Sequence, residues 1–299
     1  MNLAKVFPVM LTPFRADRSI DWDALEALIA WYEKEGVDGL FAVCQSSEMF
    51  YLSLEERVRL ARFVKEHAHV PVVASGHISD APEEQVKELN AVAETGVDAV
   101  ILITNRLAGP YESSAVWLKR LYWLLDRLPA EMPLGLYECP YPYKRVLTDR
   151  ELSHAASTGR FRFMKDTCCD AARIRRRLKV LEGSALGLYN ANTATLLDSL
   201  RAGAAGYSGI MANIHPKLYI KLCREPDSPD ADLLQSALTM CALIERQCYP
   251  VNAKYYLGGE GIPMTTVCRV KEDHELNATF KSEVEQLRLL NAEMYRRFL

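Results

Sequence analysis

One short pattern recurs in the sequence where a helix-like segment passes into an apolar run. It reads Gly36-Val37-Asp38-Gly39-Leu40 at its first occurrence and Gly96-Val97-Asp98-Ala99-Val100 at its second, and a looser version is Gly203-Ala204-Ala205-Gly206-Tyr207. Glycine commonly ends a helix, and a short apolar run after it is typical of a buried strand. The repetition therefore predicts alternating helices and strands, which build a parallel sheet.

Eight such strand–helix units fit between Lys5 and about Cys223. The predicted strands are 5–14, 37–43, 70–76, 96–104, 133–137, 161–165, 179–183 and 205–210. Between them lie predicted helices, one of which begins at the capping box Ser53-Leu54-Glu55-Glu56. Eight units predict an α/β fold, a closed (β/α)₈ TIM barrel.

The barrel is expected to occupy residues 1–225 of the 299, and residues 226–299 are expected to form a C-terminal helical segment packed on it, with helices at about 230–248 and 274–297. The alternative fold is a doubly wound open sheet. That fold requires a glycine-rich phosphate turn after its first strand, and Thr12-Pro13-Phe14-Arg15 is not one.

Composition narrows the class of partner. The net charge is −3 and no basic block occurs, which argues against nucleic-acid binding. The eight cysteines form no CxxC pair, and no 18-residue apolar segment or signal peptide is apparent. We therefore expect reduced thiols, a cytoplasmic protein without a membrane partner, and a small-molecule ligand.

Lys165 closes the apolar run Phe161-Arg162-Phe163-Met164-Lys165. Strands that feed helices are buried on both faces, where an ammonium group loses its hydration and tends to release its proton. A neutral lysine is a nucleophile toward carbonyl groups. Considered alone, however, a lysine at a strand end more often extends its amine to water.

The carboxyl ends of the barrel strands narrow the search for a site, because active sites of such barrels form there. The residues that follow the predicted strands are 44–48, 76–77, 104–107, 137–142, 165–167 and 208–213. Tyr137 and Lys165 end neighbouring strands, so we expect their side chains to meet in the barrel mouth.

Several of these residues carry a family resemblance. Ile103-Thr104 with Pro110, Leu136-Tyr137 with Pro140, Met164-Lys165-Asp166 with Asp170, and 206–213 resemble the dihydrodipicolinate synthase/N-acetylneuraminate lyase family. The resemblance runs through essentially the whole chain. It implies a class I enzyme that needs neither metal nor cofactor, in which Lys165 forms a Schiff base with a 2-keto acid and Tyr137 shuttles protons. It also implies a homotetramer or homodimer.

The resemblance further implies where the substrate is held. The family's carboxylate pocket falls on Gln45, Ser46 and Ser47, with Ile210 as a further substrate contact. His77 and Arg106, together with Lys144 and Arg145, are predicted to form a basic rim for an acidic or hydroxylated tail.

Three positions depart from the family pattern. Gln45 replaces a relay hydroxyl, Leu107 falls where a tyrosine is usual, and Pro142 falls where the synthases carry an arginine. Activity as a true dihydrodipicolinate synthase is therefore not expected. Tyr111 is a weak substitute for the missing tyrosine, and Glu48 is expected to be a buried structural carboxylate.

The first hypothesis is a Schiff-base aldolase that cleaves or condenses a pyruvate-type 2-keto acid, including sugar-acid derivatives. The alternatives are a hydro-lyase on a keto-deoxy sugar acid, a 2-keto-acid-binding protein without turnover, and an isomerase that binds phosphate at Gly183-Ser184 and Ser208-Gly209. Cys139, Cys168, Cys169, Asp170 and His77 follow no metal-ligand spacing, so no metal site is predicted.

Overall fold

Eight parallel strands form one continuous sheet in the computed structural model, which describes residues 3–299. The order is β1-β8-β7-β6-β5-β4-β3-β2, and the ring closes where Val9 pairs with Phe41. This is the predicted (β/α)₈ barrel. The strands are β1 (Lys5–Val6), β2 (Leu40–Phe41), β3 (Val72–Ser75), β4 (Ala99–Ile103), β5 (Leu134–Tyr137), β6 (Phe161–Asp166), β7 (Gly187–Asn190) and β8 (Gly206–Tyr207).

The helices surround this ring and continue beyond it. Ser53 starts α2 as predicted, because its hydroxyl accepts from Glu56 N at 3.1 Å while the Glu56 carboxylate accepts from Ser53 N at 2.9 Å. No helix within residues 3–299 combines the length and the apolar character needed to cross a bilayer. The helices are α1 (Trp22–Lys34), α2 (Leu54–His67), α3 (Pro82–Ala93), α4 (Thr104–Leu107), α5 (Ser114–Leu125), α6 (Asp149–Ser157), α7 (Ala171–Val180), α8 (Leu196–Arg201), α9 (Pro216–Arg224), α10 (Ala231–Cys241), α11 (Val251–Gly259) and α12 (Ala278–Phe298).

The seventh strand is not where the sequence predicted it. Residues 179–183 were expected to be extended, but α7 continues to Val180 and the strand is β7, Gly187–Asn190. Helix α7 carries the fully buried Arg177, whose guanidinium is bound by carboxylates under the barrel mouth. This anchor lies in the last turn of α7. Gly183-Ser184 consequently precedes β7, at the amino end of the strand, and cannot form the phosphate site considered above.

Aromatic rings fill the upper barrel interior. Phe7, Phe41, Phe163 and Tyr189 come from β1, β2, β6 and β7 or the residues beside them, and the Phe163 and Tyr189 rings stack with centroids 4.3 Å apart. Phe163 also packs against Phe7 at 5.4 Å and Phe41 at 5.8 Å. Inward side chains alternate along a strand, so Lys165 projects from β6 on the same side as Phe163. The aromatic cluster is therefore the floor beneath the lysine.

A buried ion pair holds the C-terminal segment at the barrel mouth. Helix α11 was not predicted from the sequence. It carries Lys254, whose Nζ donates to Glu48 Oε1 at 2.8 Å. Glu48 Oε2 accepts the backbone amides of Arg269 at 2.6 Å and Val270 at 2.9 Å. Glu48 is thus the structural carboxylate that was expected. Apolar side chains of α10 to α12 join the barrel's own core cluster, and a domain boundary at residue 225 stays a prediction.

Gly206 is required where β8 meets β1. A Cβ atom at Gly206 would lie 1.8 Å from the carbonyl oxygen of Lys5, and its φ is +153°. We expect Gly206→Ala to lower the free energy of unfolding by about 3 kcal/mol, the upper range for overpacking. Gly183→Ala is the control. Gly183 has φ +76° but no atom within 4 Å of the added Cβ, so only backbone strain of about 1 kcal/mol is expected. Urea unfolding of both variants gives the comparison, and equal losses would contradict the steric account.

Candidate active site

Lys165 lies at the bottom of the barrel mouth with its amine in a desolvated environment. Its side chain is 5% exposed, and Nζ lies 4.7 Å from the centre of the Tyr137 ring and 5.8 Å from that of Phe41. Within residues 3–299, Nζ forms no ion pair. Burial lowers the pKa of Lys165 to about 8, while the Cys44 and Cys139 thiols oppose this shift. A substantial fraction of the amine is therefore neutral near physiological pH.

Tyr137 stands beside the lysine because the two residues are direct partners in the β5–β6 ladder. Tyr137 is 3% exposed, and its ring packs edge-on against Phe41 with centroids 5.6 Å apart. Burial raises the pKa of the Tyr137 hydroxyl well above its ordinary value, and the neighbouring Cys139 and Cys44 add to the effect. The hydroxyl consequently keeps its proton and serves as a donor.

A cavity of about 320 Å³ opens above these two side chains. Its walls come from the loops that follow β2, β5, β6, β7 and β8, and its cover comes from the C-terminal segment. The volume suits a small organic acid. The lining residues are Gln45, Ser46, Tyr137, Pro140, Lys144, Lys165, Thr167, Cys169, Ala191, Asn192, Gly209, Ile210, Glu245, Tyr249, Pro250 and Val270.

The loop after β2 presents two predicted residues to this cavity and turns a third away. Gln45 and Ser46 line it, and the Gln45 side-chain oxygen lies 3.6 Å from the Cys139 sulfur. Ser47 is fully buried, and its hydroxyl accepts from Cys44 N at 2.6 Å and donates to Cys44 O at 2.7 Å. The Ser47 side chain therefore holds the loop. Within residues 3–299 the backbone amides of Ser46 and Ser47 donate to no oxygen.

The predicted basic rim is largely absent. His77 is fully buried, and its Nε2 accepts from the amide of Ile103. Arg106 pairs with Asp80 and lines a separate cavity between α4 and α5. Arg145 is buried against Glu151 at 2.7 Å. Of this group only Lys144 reaches the cavity. The prediction failed because strand-end position alone does not tell which way a loop side chain turns.

Behind the lysine, a buried arginine joins two carboxylates. Arg177 Nη2 donates to Glu138 Oε1 at 2.6 Å, and Arg177 Nη1 donates to Asp166. Glu138 and Asp166 directly follow Tyr137 and Lys165, so they project to the opposite side of the sheet. All three side chains are fully buried. The cluster fixes the ends of β5 and β6, on which the two reactive side chains stand.

Comparison with known proteins agrees with this geometry. The sequence profile described as "Dihydrodipicolinate synthetase family" matches residues 2–274. The chain belongs to this family. A 4-hydroxy-tetrahydrodipicolinate synthase from Saccharophagus degradans is 27% identical over 218 residues, which is 72% of each chain.

Solved structures of the dihydrodipicolinate synthetase family share the whole fold. YagE, a prophage protein of the dihydrodipicolinic acid synthase family from E. coli K12 in complex with pyruvate, superposes with a TM-score of 0.85 over 98% of this chain and 99% of its own, at 23% identity. A chloride-inhibited dihydrodipicolinate synthase from Acinetobacter baumannii complexed with pyruvate gives 0.85 over 98% and 99%, at 21% identity. The family comprises aldolase-type lyases, so this member is an enzyme of that broad type.

Sequence reasoning about this family member missed the residues that cover the site. Glu245, Tyr249, Pro250 and Val270 line the cavity from a segment far from the barrel strands in sequence. No periodicity or motif marks them. Cys169, which was named above only among the residues without metal-ligand spacing, is also part of the cavity wall. Residues 3–299 hold no group of three or more His, Cys, Asp or Glu side chains placed to bind a metal ion.

The Arg177 cluster should dominate the local stability of this member. Removing the cation leaves two buried carboxylates uncompensated, so Arg177→Met should lower the free energy of unfolding by about 3–5 kcal/mol. Arg175→Met is the matched control on the same helix. Arg175 is 51% exposed and pairs with Asp198 at the surface, where a pair contributes at most about 1 kcal/mol.

The pH dependence of this loss separates charge from packing. Burial already raises the pKa of Glu138, against the lowering effect of Arg177. Without Arg177 the pKa of Glu138 in the folded state rises further above its value in the unfolded state. A carboxyl group with such a raised pKa favours the folded state at low pH, and this stability is lost as the pH rises from the unfolded-state pKa to the folded-state pKa. The deficit of Arg177→Met, measured by urea unfolding, should therefore grow between pH 5 and pH 8. A deficit independent of pH would indicate lost packing instead.

Proposed function

We propose that this chain is a Schiff-base-dependent lyase acting on a pyruvate-type 2-keto acid, with Lys165 as the nucleophile. The observation that carries the proposal is the buried amine of Lys165, which forms no ion pair and lies beside the Tyr137 ring at the floor of a cavity of small-molecule size. A lysine in such surroundings is available as a free amine, the form that attacks a carbonyl carbon.

The reaction begins when the neutral amine adds to the keto carbon and gives a carbinolamine. Loss of water then gives an iminium ion between Lys165 and the substrate. Tyr137 supports both steps, because its hydroxyl is protonated at the start and gives this proton to the oxygen that departs as water. The iminium withdraws electrons from the neighbouring carbon C3, so a bond at C3 can break or form.

The substrate carboxylate is assigned to the loop after β2. The amides of Ser46 and Ser47 have no oxygen partner in the described chain, and two successive backbone N–H groups form a good anion site. Gln45 offers an amide at the same edge of the cavity. Ile210 lines the cavity after β8 and is assigned as a further substrate contact.

Aldol cleavage or condensation is the first choice of reaction, and dehydration of a keto-deoxy sugar acid is the second. Both use the same iminium, and they differ in whether a carbon–carbon bond or a carbon–oxygen bond breaks next to C3. Lys144, Asn192 and Thr167 at the rim offer hydrogen bonds to a hydroxylated tail. Synthesis of dihydrodipicolinate is not proposed, since Pro142 stands at the position that resembles the synthase arginine. A homotetramer or homodimer stays a prediction from the resemblance.

Borohydride trapping tests the proposal. Treatment of the protein with pyruvate and sodium borohydride should add pyruvate less one water plus two hydrogens, on the peptide that contains Lys165. Lys254 serves as an internal control, because it is also buried but is paired with Glu48. Lys165→Ala should give no adduct while retaining its cooperative unfolding transition.

Absence of an adduct on folded wild-type protein, across a panel of 2-keto acids, would refute the lyase assignment. An adduct without turnover of any sugar acid would favour the alternative, a binding protein. Product analysis separates the two lyase reactions, since cleavage releases pyruvate and an aldehyde, whereas dehydration releases water and one keto acid that keeps the full carbon skeleton.

A further inference from the structure

A buried thiol holds the side chain of Gln45 at the edge of the lysine cavity. Cys139 follows Tyr137, the last residue of β5, by two positions, and its Sγ lies 3.6 Å from Gln45 Oε1. The two residues are 94 positions apart in the sequence. A buried cysteine is most often a small apolar filler of a core. Here the thiol instead contacts a polar atom of a residue that lines the cavity.

Cys139 is the donor in this contact. It is fully buried, and burial raises the pKa of its thiol to about 11, against the opposing effects of the Tyr141 backbone, Tyr137 and Lys165. The sulfur therefore keeps its proton at neutral pH. Within residues 3–299, Gln45 Oε1 is the one acceptor that this thiol reaches. A carboxamide accepts hydrogen bonds through its oxygen, so the oxygen end of Gln45 faces the sulfur.

The loop that carries Cys139 is fixed, whereas Gln45 depends on the thiol for its orientation. Asn105 is buried on α4, and its Nδ2 donates to the carbonyl oxygens of Cys139 at 2.8 Å and Tyr143 at 2.7 Å. Gln45 has a long, flexible side chain and is half-buried. Within the described chain its carboxamide makes no hydrogen bond other than the one from Cys139. The thiol therefore orients the carboxamide.

The nitrogen end of the Gln45 carboxamide is left free for a ligand. Gln45 Nε2 donates to no acceptor within residues 3–299, and Gln45 lines the same cavity as Lys165 and Tyr137. An amide N–H₂ group donates hydrogen bonds and accepts none, so its natural partner is an anionic oxygen. The next residue, Ser46, belongs to the loop to which the substrate carboxylate is assigned above.

We propose that Cys139 is a positioning residue, whose S–H group turns the Gln45 carboxamide so that its N–H₂ group faces the carboxylate of the 2-keto acid. The inference rests on the proposed function of Lys165 and adds a residue that acts through Gln45. A hydroxyl at position 45 would both donate and accept, as a proton relay requires, whereas the fixed carboxamide only donates. Position 45 therefore binds the substrate in this chain, and proton transfer is left to Tyr137.

Titration with pyruvate, read by borohydride trapping, tests this role. The folded protein is mixed with increasing pyruvate and treated briefly with sodium borohydride, and the fraction that carries the Lys165 adduct is read from the intact mass. The pyruvate concentration that gives half of the maximal adduct reports binding. Gln45→Met has a side chain of similar length without an N–H₂ group. It should raise this concentration about 10-fold or more, because it removes a hydrogen bond to a charged group.

Cys139→Val and Cys139→Thr are a matched pair, because valine and threonine have nearly the same shape and only threonine carries a donor. Cys139→Val should raise the half-maximal pyruvate concentration about 3-fold, since binding must then order a mobile Gln45 side chain. Its adduct yield at saturating pyruvate should match that of the wild type. Cys139→Thr should bind pyruvate as the wild type does. Added to Gln45→Met, Cys139→Val should have no further effect, as expected of a residue that acts only through Gln45.

Cys223→Val is the control for replacing a buried cysteine with valine. Cys223 is buried on α9 and does not line the cavity, so this variant should bind pyruvate as the wild type does. Gln45 is only half-buried, so Gln45→Met tests the carboxamide even where a Cys139 variant fails to fold.

The results that would overturn the inference differ from the one that would refute the proposed function. Equal effects of Cys139→Val and Cys139→Thr, or an undiminished effect of Cys139→Val in Gln45→Met protein, would show that Cys139 acts through packing. Unchanged pyruvate binding by Gln45→Met would remove the carboxamide from the site. Each of these leaves the Lys165 adduct in place. Absence of the adduct in wild-type protein would refute the proposed function itself, and the role of Cys139 with it.

Discussion

Desolvation of one amine is the constraint on which the account of this site depends. Lys165 is buried beside aromatic rings without a counter-ion, whereas Lys254 and Arg177 are equally buried and are paired with carboxylates. A paired cation is held in its charged form, while an unpaired one is driven toward neutrality. The barrel thus contains paired buried cations, Lys254 and Arg177, and one unpaired lysine. Only the unpaired Lys165 is available as a neutral amine, and it faces the cavity.

Strand alternation produces this separation. On β5 and β6 the inward residues are Tyr137 and Lys165, and the next residue on each strand, Glu138 or Asp166, projects outward to Arg177. A shift of one residue would place a carboxylate beside the lysine amine and keep it protonated. The Arg177 cluster holds both strands in this register, and so it keeps the carboxylates of Glu138 and Asp166 away from the Lys165 amine.

The C-terminal segment completes the site. Lys254 on α11 pairs with Glu48 at the end of the loop after β2, and the same carboxylate accepts the amides of Arg269 and Val270. These bonds hold the segment over the mouth, where Glu245 lines the cavity. The buried carboxylate of Glu48 thus links the substrate loop to the cover of the cavity.

Features that depend on a few neighbouring residues could be predicted from the sequence, whereas contacts between loops distant in sequence could not. The repeated glycine pattern predicted the eight-stranded barrel, and the ends of β5 and β6 brought Tyr137 and Lys165 together. The seventh strand was misplaced because α7 extends to Val180. The Arg177 contacts that hold the last turn of this helix, to Glu138 and Asp166, arise only in the folded chain. His77 and Arg106 turned out to point away from the cavity, and Glu245 was missed, since loop direction and the path of α10 to α12 depend on tertiary packing.

The ionisation of Lys165 is the most direct test of the central claim. The rate at which a small acylating reagent modifies Lys165 can be followed by peptide mass spectrometry across a range of pH, in folded and in urea-unfolded protein. The account predicts a midpoint of about 8 in the folded protein and a return toward the ordinary value of 10.5 on unfolding. A midpoint near 10.5 in both states would show that burial leaves the amine charged, and it would contradict the assignment of Lys165 as a nucleophile prepared by desolvation.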